Sequence, residues 1–263
     1  MHKALGLYLI AFSILGVSAW QTSMGWLAPV GLAILFFGSL LLWRAEGHQF
    51  QELGYRRVSH WAGYLIGGFI VGAVIPLIVV LLMWAVGWAD ISFQIQTNSL
   101  IATGIIIALL RAGLITFAEE LIFRGYFYRI FDFRNGNRIA VVLSSVLWAL
   151  THLPDMVSSG LSIISILIGM ATFILWGIFL ALVVGLGKDS LWIPFGVHFG
   201  YNFVFSMIGY FLVTNLIASD LIIGHPAWLP ESGLLGMLIW GAALLVSLGI
   251  STSRKSPENQ IAN

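Results

Sequence analysis

The sequence predicts an all-α protein, a polytopic transmembrane helix bundle of about eight spans. Of its 263 residues, 59% are hydrophobic and only 9% are charged, whereas soluble domains carry roughly 25% charged residues. Its apolar segments are long enough to cross a hydrocarbon core of ~30 Å as helices. The net charge of +1 provides no basic surface that would neutralise a phosphate backbone. The composition therefore excludes an ordinary soluble enzyme, and no nucleic-acid partner is expected.

The apolar segments form one predicted transmembrane domain, residues 1–263, without an internal repeat. Polar and turn-forming sequences separate them, such as Arg44 to Trp61, Asn135-Gly136-Asn137, Lys188-Asp189 and His225-Pro226, and these residues are typical of loops. We place the spans at residues 4–20, 26–43, 61–87, 99–123, 138–152, 160–186, 191–213 and 232–250.

The basic residues predict the orientation of this bundle, since cytoplasmic loops are enriched in Lys and Arg. Ten of them lie in the two tails and in alternate connections: Lys3, Arg44, Arg56, Arg57, Arg129, Arg134, Arg138, Lys188, Arg254 and Lys255. The other four connections hold only acidic charges: Asp90, Asp155, Asp220 and Glu231. We therefore expect an integral, multi-pass membrane protein with both termini in the cytoplasm, in the cell membrane if the protein is prokaryotic.

The first span has two interpretations. His2-Lys3, an apolar core and Val17-Ser18-Ala19 are also the pattern of a cleavable signal peptide. Removing this segment would leave seven spans and the same orientation for the rest of the chain. We favour a retained anchor.

Polar residues within the spans are costly and usually functional. The chain has a compact set of them: Glu119, Glu120, Arg124, His152, His198 and Asn202. Counted from the nearest cytoplasmic charge at ~1.5 Å per residue, Glu119 and His198 lie roughly 15 Å deep, and His152 roughly 21 Å. The three helices therefore bring polar groups to a similar depth near the middle of the bilayer, which predicts a single site.

Helical spacing suggests a role for each member of the set. Arg124 follows Glu120 by four residues, about 40° around the helix, so these two can form an ion pair. Glu119 has no such partner on its helix and suits a general base. His198 and Asn202 share a helix face and can donate hydrogen bonds to an oxyanion. The structural alternatives are an acidic helix end, a structural ion pair and interhelical hydrogen bonds.

Three motifs resemble those of the CPBP family of intramembrane proteases, also called the CAAX-protease or Abi family. Residues 119–124, Glu-Glu-Leu-Ile-Phe-Arg, fit EExxxR. Residues 148–152, Trp-Ala-Leu-Thr-His, fit FxxxH with Trp148 where the family usually has Phe, and residues 198–202, His-Phe-Gly-Tyr-Asn, fit HxxxN. Their order and spacing also match, over about a third of the chain.

The resemblance implies a helical endopeptidase of the Rce1-like type. By similarity, Glu119 activates a water molecule and Glu120 and Arg124 support the site. His152 assists or orients the water, while His198 and Asn202 form the oxyanion hole. The resemblance also favours a glutamate-based mechanism without a cofactor.

Metal chemistry is less favoured by the sequence but stays open. There is no cysteine, which excludes thiolate catalysis and cysteine-bound zinc. The zinc-protease motif HExxH is absent as well. Zinc nevertheless remains an alternative, since Glu119, His152 and His198 together would provide three ligands and leave one position open.

Two other functions use the same polar cluster. A transporter would bind an ion or a substrate there, although matching Gly- or Pro-broken helices in two halves are absent. A non-catalytic binding or immunity protein would keep the fold without turnover. The expected partners are membrane lipid and a membrane-associated protein or peptide substrate, and the sequence does not specify the cleaved bond.

Overall fold

The computed structural model describes residues 2–20, 27–93, 98–225 and 230–255. They form an all-α bundle, as predicted from the composition. Its helices are α1 His2–Trp20, α2 Leu27–Ala45, α3 Trp61–Ala85, α4 Asn98–Glu120, α5 Tyr128–Asn135, α6 Asn137–Leu150, α7 Leu153–Ser158, α8 Ile163–Leu186, α9 Trp192–Phe211, α10 Asp220–Ile223 and α11 Leu234–Lys255. A 3₁₀ helix, Phe50–Leu53, and a π-helix, Leu121–Phe127, complete the helical elements, and the strands are β1 Ala89–Phe93 and β2 Leu212–Leu216.

Six helical segments among the described residues are long and apolar enough to cross a membrane. They correspond to the first six predicted spans, and the apolar part of α11, Leu234–Ile250, is shorter. The seventh predicted span does form a helix, α9, but it is not among these six segments. The polytopic bundle is therefore confirmed, while the count of eight spans stays a prediction.

Three details of the fold differ from the predicted spans. The fourth helix continues past residue 123 through the π-helix and α5, so that 100–135 is one uninterrupted apolar helical segment. The fifth predicted span ends at Leu150 and is followed by the short α7. Strands β1 and β2 pair antiparallel, with Ala89 opposite Leu216 and Phe93 opposite Leu212. The strands were missed because two short segments far apart in sequence carry no periodic signal of their pairing.

The first helix belongs to the core of the bundle. Ala4, Tyr8 and Ala11 are buried, and α1 packs against α2 and α7. The Tyr8 hydroxyl donates a hydrogen bond of 2.8 Å to the carbonyl oxygen of Leu147 in α6. The first predicted span therefore packs as part of the bundle.

Basic loops meet at one end of the bundle. The Arg56 side chain donates to the Lys188 carbonyl oxygen at 2.9 Å, and the Arg129 side chain donates to that of Asp189 at 3.1 Å. Lys188 and Asp189 both have positive φ angles of 56°, which non-glycine residues seldom adopt. The two arginines thus stabilise the tight turn from which α9 starts.

Helix α9 packs very closely against α3 through glycines. Gly68 and Gly72 of α3 face Gly196 and Gly200 of α9, and the nearest neighbours of these glycines are main-chain atoms of the opposite helix. A Cβ atom at Gly72 would overlap the Val197 carbonyl oxygen. Small residues at this spacing allow helix backbones to approach closely in membranes. The main chain of α3 therefore fixes the position of α9.

Candidate active site

The two glutamates lie where the fourth helix changes its winding. Glu119 and Glu120 are the last residues of α4, and the π-helix Leu121–Phe127 follows, all of it buried. Such wide turns in α-helices are frequent at functional sites. The Arg124 side chain, within this turn, donates to Glu120 at 3.1 Å and to the Gly177 carbonyl oxygen at 3.4 Å. The predicted ion pair is therefore confirmed, with both side chains fully buried.

His198 joins this ion pair from α9. Its Nδ1 lies 2.8 Å from Glu120 Oε1, the same oxygen that accepts from Arg124. A buried carboxylate is costly unless charges and hydrogen bonds compensate it. Glu120 thus holds the imidazole in a fixed orientation, much as the aspartate of a catalytic triad orients its histidine.

Glu119 differs from its neighbour in exposure and in partners. Its side chain is 15% exposed, whereas that of Glu120 is fully buried. The indole nitrogen of Trp148 in α6 donates to Glu119 Oε2 at 2.8 Å, and His198 Nε2 lies 3.8 Å from the same oxygen. The expectation that Glu119 has no partner was based on its own helix only. Both partners come from other helices.

His152 lies beside Trp148 at the junction of α6 and α7. Its Nδ1 is 3.1 Å from the Trp148 carbonyl oxygen, and its ring stacks on Phe173 at a centroid distance of 4.1 Å. Pro154 in the first turn of α7 helps to end α6 at this point, since proline cannot continue a helix. Trp148 therefore contacts both residues, His152 with its carbonyl oxygen and Glu119 with its indole nitrogen.

Asn202 lies one turn after His198 on the same face of α9, as predicted. Its side-chain nitrogen donates to the hydroxyl of Thr116 at 3.1 Å. Thr116 is buried and precedes Glu120 by one turn of α4. The structure thus brings α9 polar groups to two successive turns of α4, with His198 at the glutamates and Asn202 at Thr116.

Sequence reasoning missed the aromatic wall that surrounds these groups. Trp148 is fully buried, and its ring lies between Arg124, at 4.4 Å, and Trp176, at 5.2 Å. Trp176 also contacts the His198 ring at 5.1 Å. The only sequence signal was Trp148 itself, the aromatic residue of the second motif. Its indole donor became evident once α4 and α6 were placed side by side.

Within the described ranges, no three His, Asp or Glu side chains are arranged to share one metal ion. Glu119 and His198 lie together, with Nε2 of His198 3.8 Å from Glu119 Oε2 and Nδ1 facing Glu120. Glu119, His152 and His198 are not arranged as such a group of three ligands. What the site offers instead is a partly exposed carboxylate beside a buried, charge-compensated imidazole.

A separate cavity of about 600 Å³ lies among the basic loops, away from the glutamates. Charges of both signs line it, including Arg56, Arg129, Glu52 and Asp189. None of the six predicted site residues is part of this lining. The cavity is therefore distinct from the candidate active site.

Comparison with known families agrees with the geometry. The model of the Rce1-like family, described as type II CAAX prenyl endopeptidase Rce1-like, matches residues 100–204. This region contains all six predicted site residues, and the match confirms the resemblance that the motifs suggested. No curated protein sequence matches the chain. The family supports a CAAX-type intramembrane endopeptidase, a hydrolase whose substrate is a membrane-associated protein.

Proposed function

We propose that this protein is an intramembrane endopeptidase in which Glu119 activates the attacking water. One observation carries the proposal. Glu119 is the partly exposed carboxylate of the cluster and lies beside a fixed imidazole, while Glu120 is buried and engaged by Arg124 and His198. A general base has to reach both water and substrate, which Glu119 can do and Glu120 cannot.

The reaction follows from these positions. Glu119 accepts a proton from water, and the resulting hydroxide attacks the carbonyl carbon of the scissile peptide bond. The carbonyl electrons move onto oxygen, giving a tetrahedral oxyanion. When the carbon–nitrogen bond breaks, protonated Glu119 returns its proton to the departing amine. Water is thereby added across the bond, and the carboxylate is ready for another cycle.

His198 and Asn202 are proposed as the oxyanion donors. Since Nδ1 of His198 faces Glu120, Nε2 is the nitrogen available to the substrate. Nε2 carries a donor hydrogen when the ring is an imidazolium. The positive charges of His198 and Arg124 then balance the negative charges of Glu119 and Glu120. Preorganised donors of this kind typically contribute 10²–10³-fold in rate. His152 supports the water from the side of Trp148.

This mechanism assigns no step to a metal. The ligand alternative of Glu119, His152 and His198 would bind zinc through Nε2 of His198, since Nδ1 faces Glu120, and would occupy the nitrogen that the proposed mechanism uses as an oxyanion donor. We therefore expect purified, active protein to contain no stoichiometric zinc and to keep its activity in a chelator. One zinc per chain, lost together with activity, would replace the glutamate mechanism by a metal-based one.

Substitution of Glu119 tests the proposed function. Glu119→Gln should abolish turnover without loss of folded protein, because a neutral amide of the same shape cannot accept the proton. Membranes containing wild-type or variant protein are compared by terminal proteomics, and wild type should produce new N- or C-terminal fragments of membrane-associated proteins. Glu52→Gln, which changes an exposed carboxylate outside the site, is the matched control.

The same comparison separates the alternative functions. A transporter or a binding protein would leave the fragment pattern of wild type and Glu119→Gln identical. Fragments that persist in Glu119→Gln would show that another group activates the water.

We further propose that the basic segments, residues 44–60, 124–138 and 187–190, lie at the cytoplasmic end of the bundle. The contacts of Arg56 and Arg129 with the 188–189 turn support it, because they join these loops at one end of the bundle. The chain has no cysteine, so single cysteines can be introduced without a background. Cysteines replacing Ser59 or Asn135 should resist labelling from outside intact cells, and one replacing Asp90 should be labelled. The reverse pattern would invert the orientation.

A further inference from the structure

Trp148 places a hydrogen-bond donor on the proposed base. Its indole nitrogen lies 2.8 Å from Glu119 Oε2. The contact joins α6 to α4, and the two residues are 29 positions apart in the chain. A phenylalanine, the usual residue of this motif position in the resembled family, has no donor. The substitution therefore adds a contact to the carboxylate that the motif alone does not provide.

The surroundings of Trp148 fix the direction of this donor. The ring is fully buried, with the Arg124 guanidinium 4.4 Å above its centroid. Phe173 and Trp176 contact it edge-on at 5.6 and 5.2 Å. A ring packed on several sides cannot rotate without displacing its neighbours. The indole N–H therefore remains aimed at Glu119.

The contact also gives the two carboxylate oxygens of Glu119 different roles. Oε2 accepts from Trp148 and lies 3.8 Å from His198 Nε2, so Oε1 is the oxygen that remains for water. A carboxylate held through one oxygen loses its freedom to rotate between orientations. Catalytic groups held in the productive geometry avoid this entropic cost in the transition state.

We infer that Trp148 is a positioning residue for Glu119, fixing the carboxylate through Oε2 so that Oε1 receives the proton of the attacking water. The inference depends on the proposed role of Glu119. Trp148 touches neither water nor substrate and acts through the glutamate.

Trp148→Phe tests this role, since it restores the usual family residue and keeps an aromatic ring against Arg124. We expect kcat to fall about 10- to 100-fold, which corresponds to the loss of one hydrogen bond to a charged group, with KM changed less than about threefold. The matched control is Trp240→Phe. Trp240 is also fully buried, and its indole nitrogen has no hydrogen-bond partner among the described residues, so the control removes the same volume without removing a hydrogen bond.

A second variant separates the donor from the packing. Trp148→benzothienylalanine keeps the shape of the bicyclic ring and replaces N–H by sulfur, so the same fall in kcat is expected with unchanged thermal stability. If either Trp148 variant retains the kcat of Trp240→Phe, the inference is wrong.

The contact itself is measured independently of activity by NMR of indole groups labelled with ¹⁵N. The Trp148 indole resonance is assigned by its loss in Trp148→Phe, and it should move in Glu119→Ala, whereas that of Trp240 should not. An unchanged Trp148 resonance would refute the contact. If the contact is present and Glu119→Gln is still active, the proposed function fails and this geometric result stands.

Discussion

Helix α9 has two faces of opposite character. Its back consists of Gly196 and Gly200, packed main chain to main chain on α3. Its front, about 200° around the helix from these glycines, carries His198 and Asn202 towards the polar turns of α4. Lipid provides no hydrophobic driving force between helices, so close packing has to hold them. The comparison shows that a polar site in a membrane can be positioned by a surface that contains no polar side chain.

The partners of the two faces differ in how they relate to the family match. Both faces of α9 and the polar turns of α4 lie within residues 100–204, which the Rce1-like family model covers. The back of α9 packs on Gly68 and Gly72 of α3, which lie outside that region. The chemistry and its mechanical support thus come from separate parts of the chain, and substitutions can test them separately.

Breaking the ion pair of Glu120 and Arg124, which the front of α9 contacts through His198, should have the largest effect. Glu120→Gln leaves Arg124 as a buried charge without its ion partner, and Arg124→Ala leaves Glu120 in the same state. Removing one partner of a buried pair costs ~3–5 kcal/mol in soluble proteins, so thermal stability in detergent should fall together with activity.

The double variant Glu120→Gln with Arg124→Met is the control for this loss. It removes both charges and should recover part of the stability while activity remains low. Its Met side chain keeps apolar contact with the Trp148 ring, which now lies against Arg124. A fully stable and active Glu120→Gln, beside an unstable Glu119→Gln, would reverse the roles of the two glutamates.

Between its two faces, α9 makes a third contact, and the acid in this contact titrates. Tyr201 donates a hydrogen bond to Glu231 in the turn before α11, and burial raises the pKa of Glu231 from 4.5 to about 7. The folded protein then binds a proton that the unfolded chain has already released. Stability should therefore fall as pH rises from about 4.5 to 7, by up to ~3 kcal/mol, and level off above that range.

Glu231→Gln is the variant that tests this pH dependence. It should flatten the decline, since a neutral amide does not titrate, and Asp220→Asn, an exposed acid near the same turn, should not. Melting temperatures between pH 4.5 and 8 measure the difference. A wild-type curve that rises over this range would contradict the raised pKa of Glu231.

The sequence predicted the polar site at the front of α9 better than the packing at its back. The pairing of Glu120 with Arg124, and the shared face of His198 and Asn202, follow from helical spacing within one helix. The Trp148 contact with Glu119 was not predictable, because it depends on how two helices are rotated against each other. The π-helix 121–127 was missed for a related reason, since packing of the whole segment determines its winding. The packing of α3 on α9 through their glycines was not predicted either, because spacing within one helix does not identify its partner.

Adding one methyl group to the back of α9 should give a smaller loss than breaking the ion pair. A Cβ atom at Gly200 would overlap the Phe69 carbonyl oxygen of α3, and main chain cannot move aside as a side chain can. Overpacking of this kind costs about 1–3 kcal/mol. Gly200→Ala should therefore lower the melting temperature and, by displacing His198 and Asn202, lower kcat as well.

Gly209→Ala on the same helix meets open space and should be neutral or slightly stabilising, since alanine favours helices by up to ~1 kcal/mol over glycine. If Gly200→Ala lowers stability but leaves kcat unchanged, the back of the helix supports the fold without positioning the site. Equal behaviour of the two variants would mean that α3 does not hold α9 through its glycines.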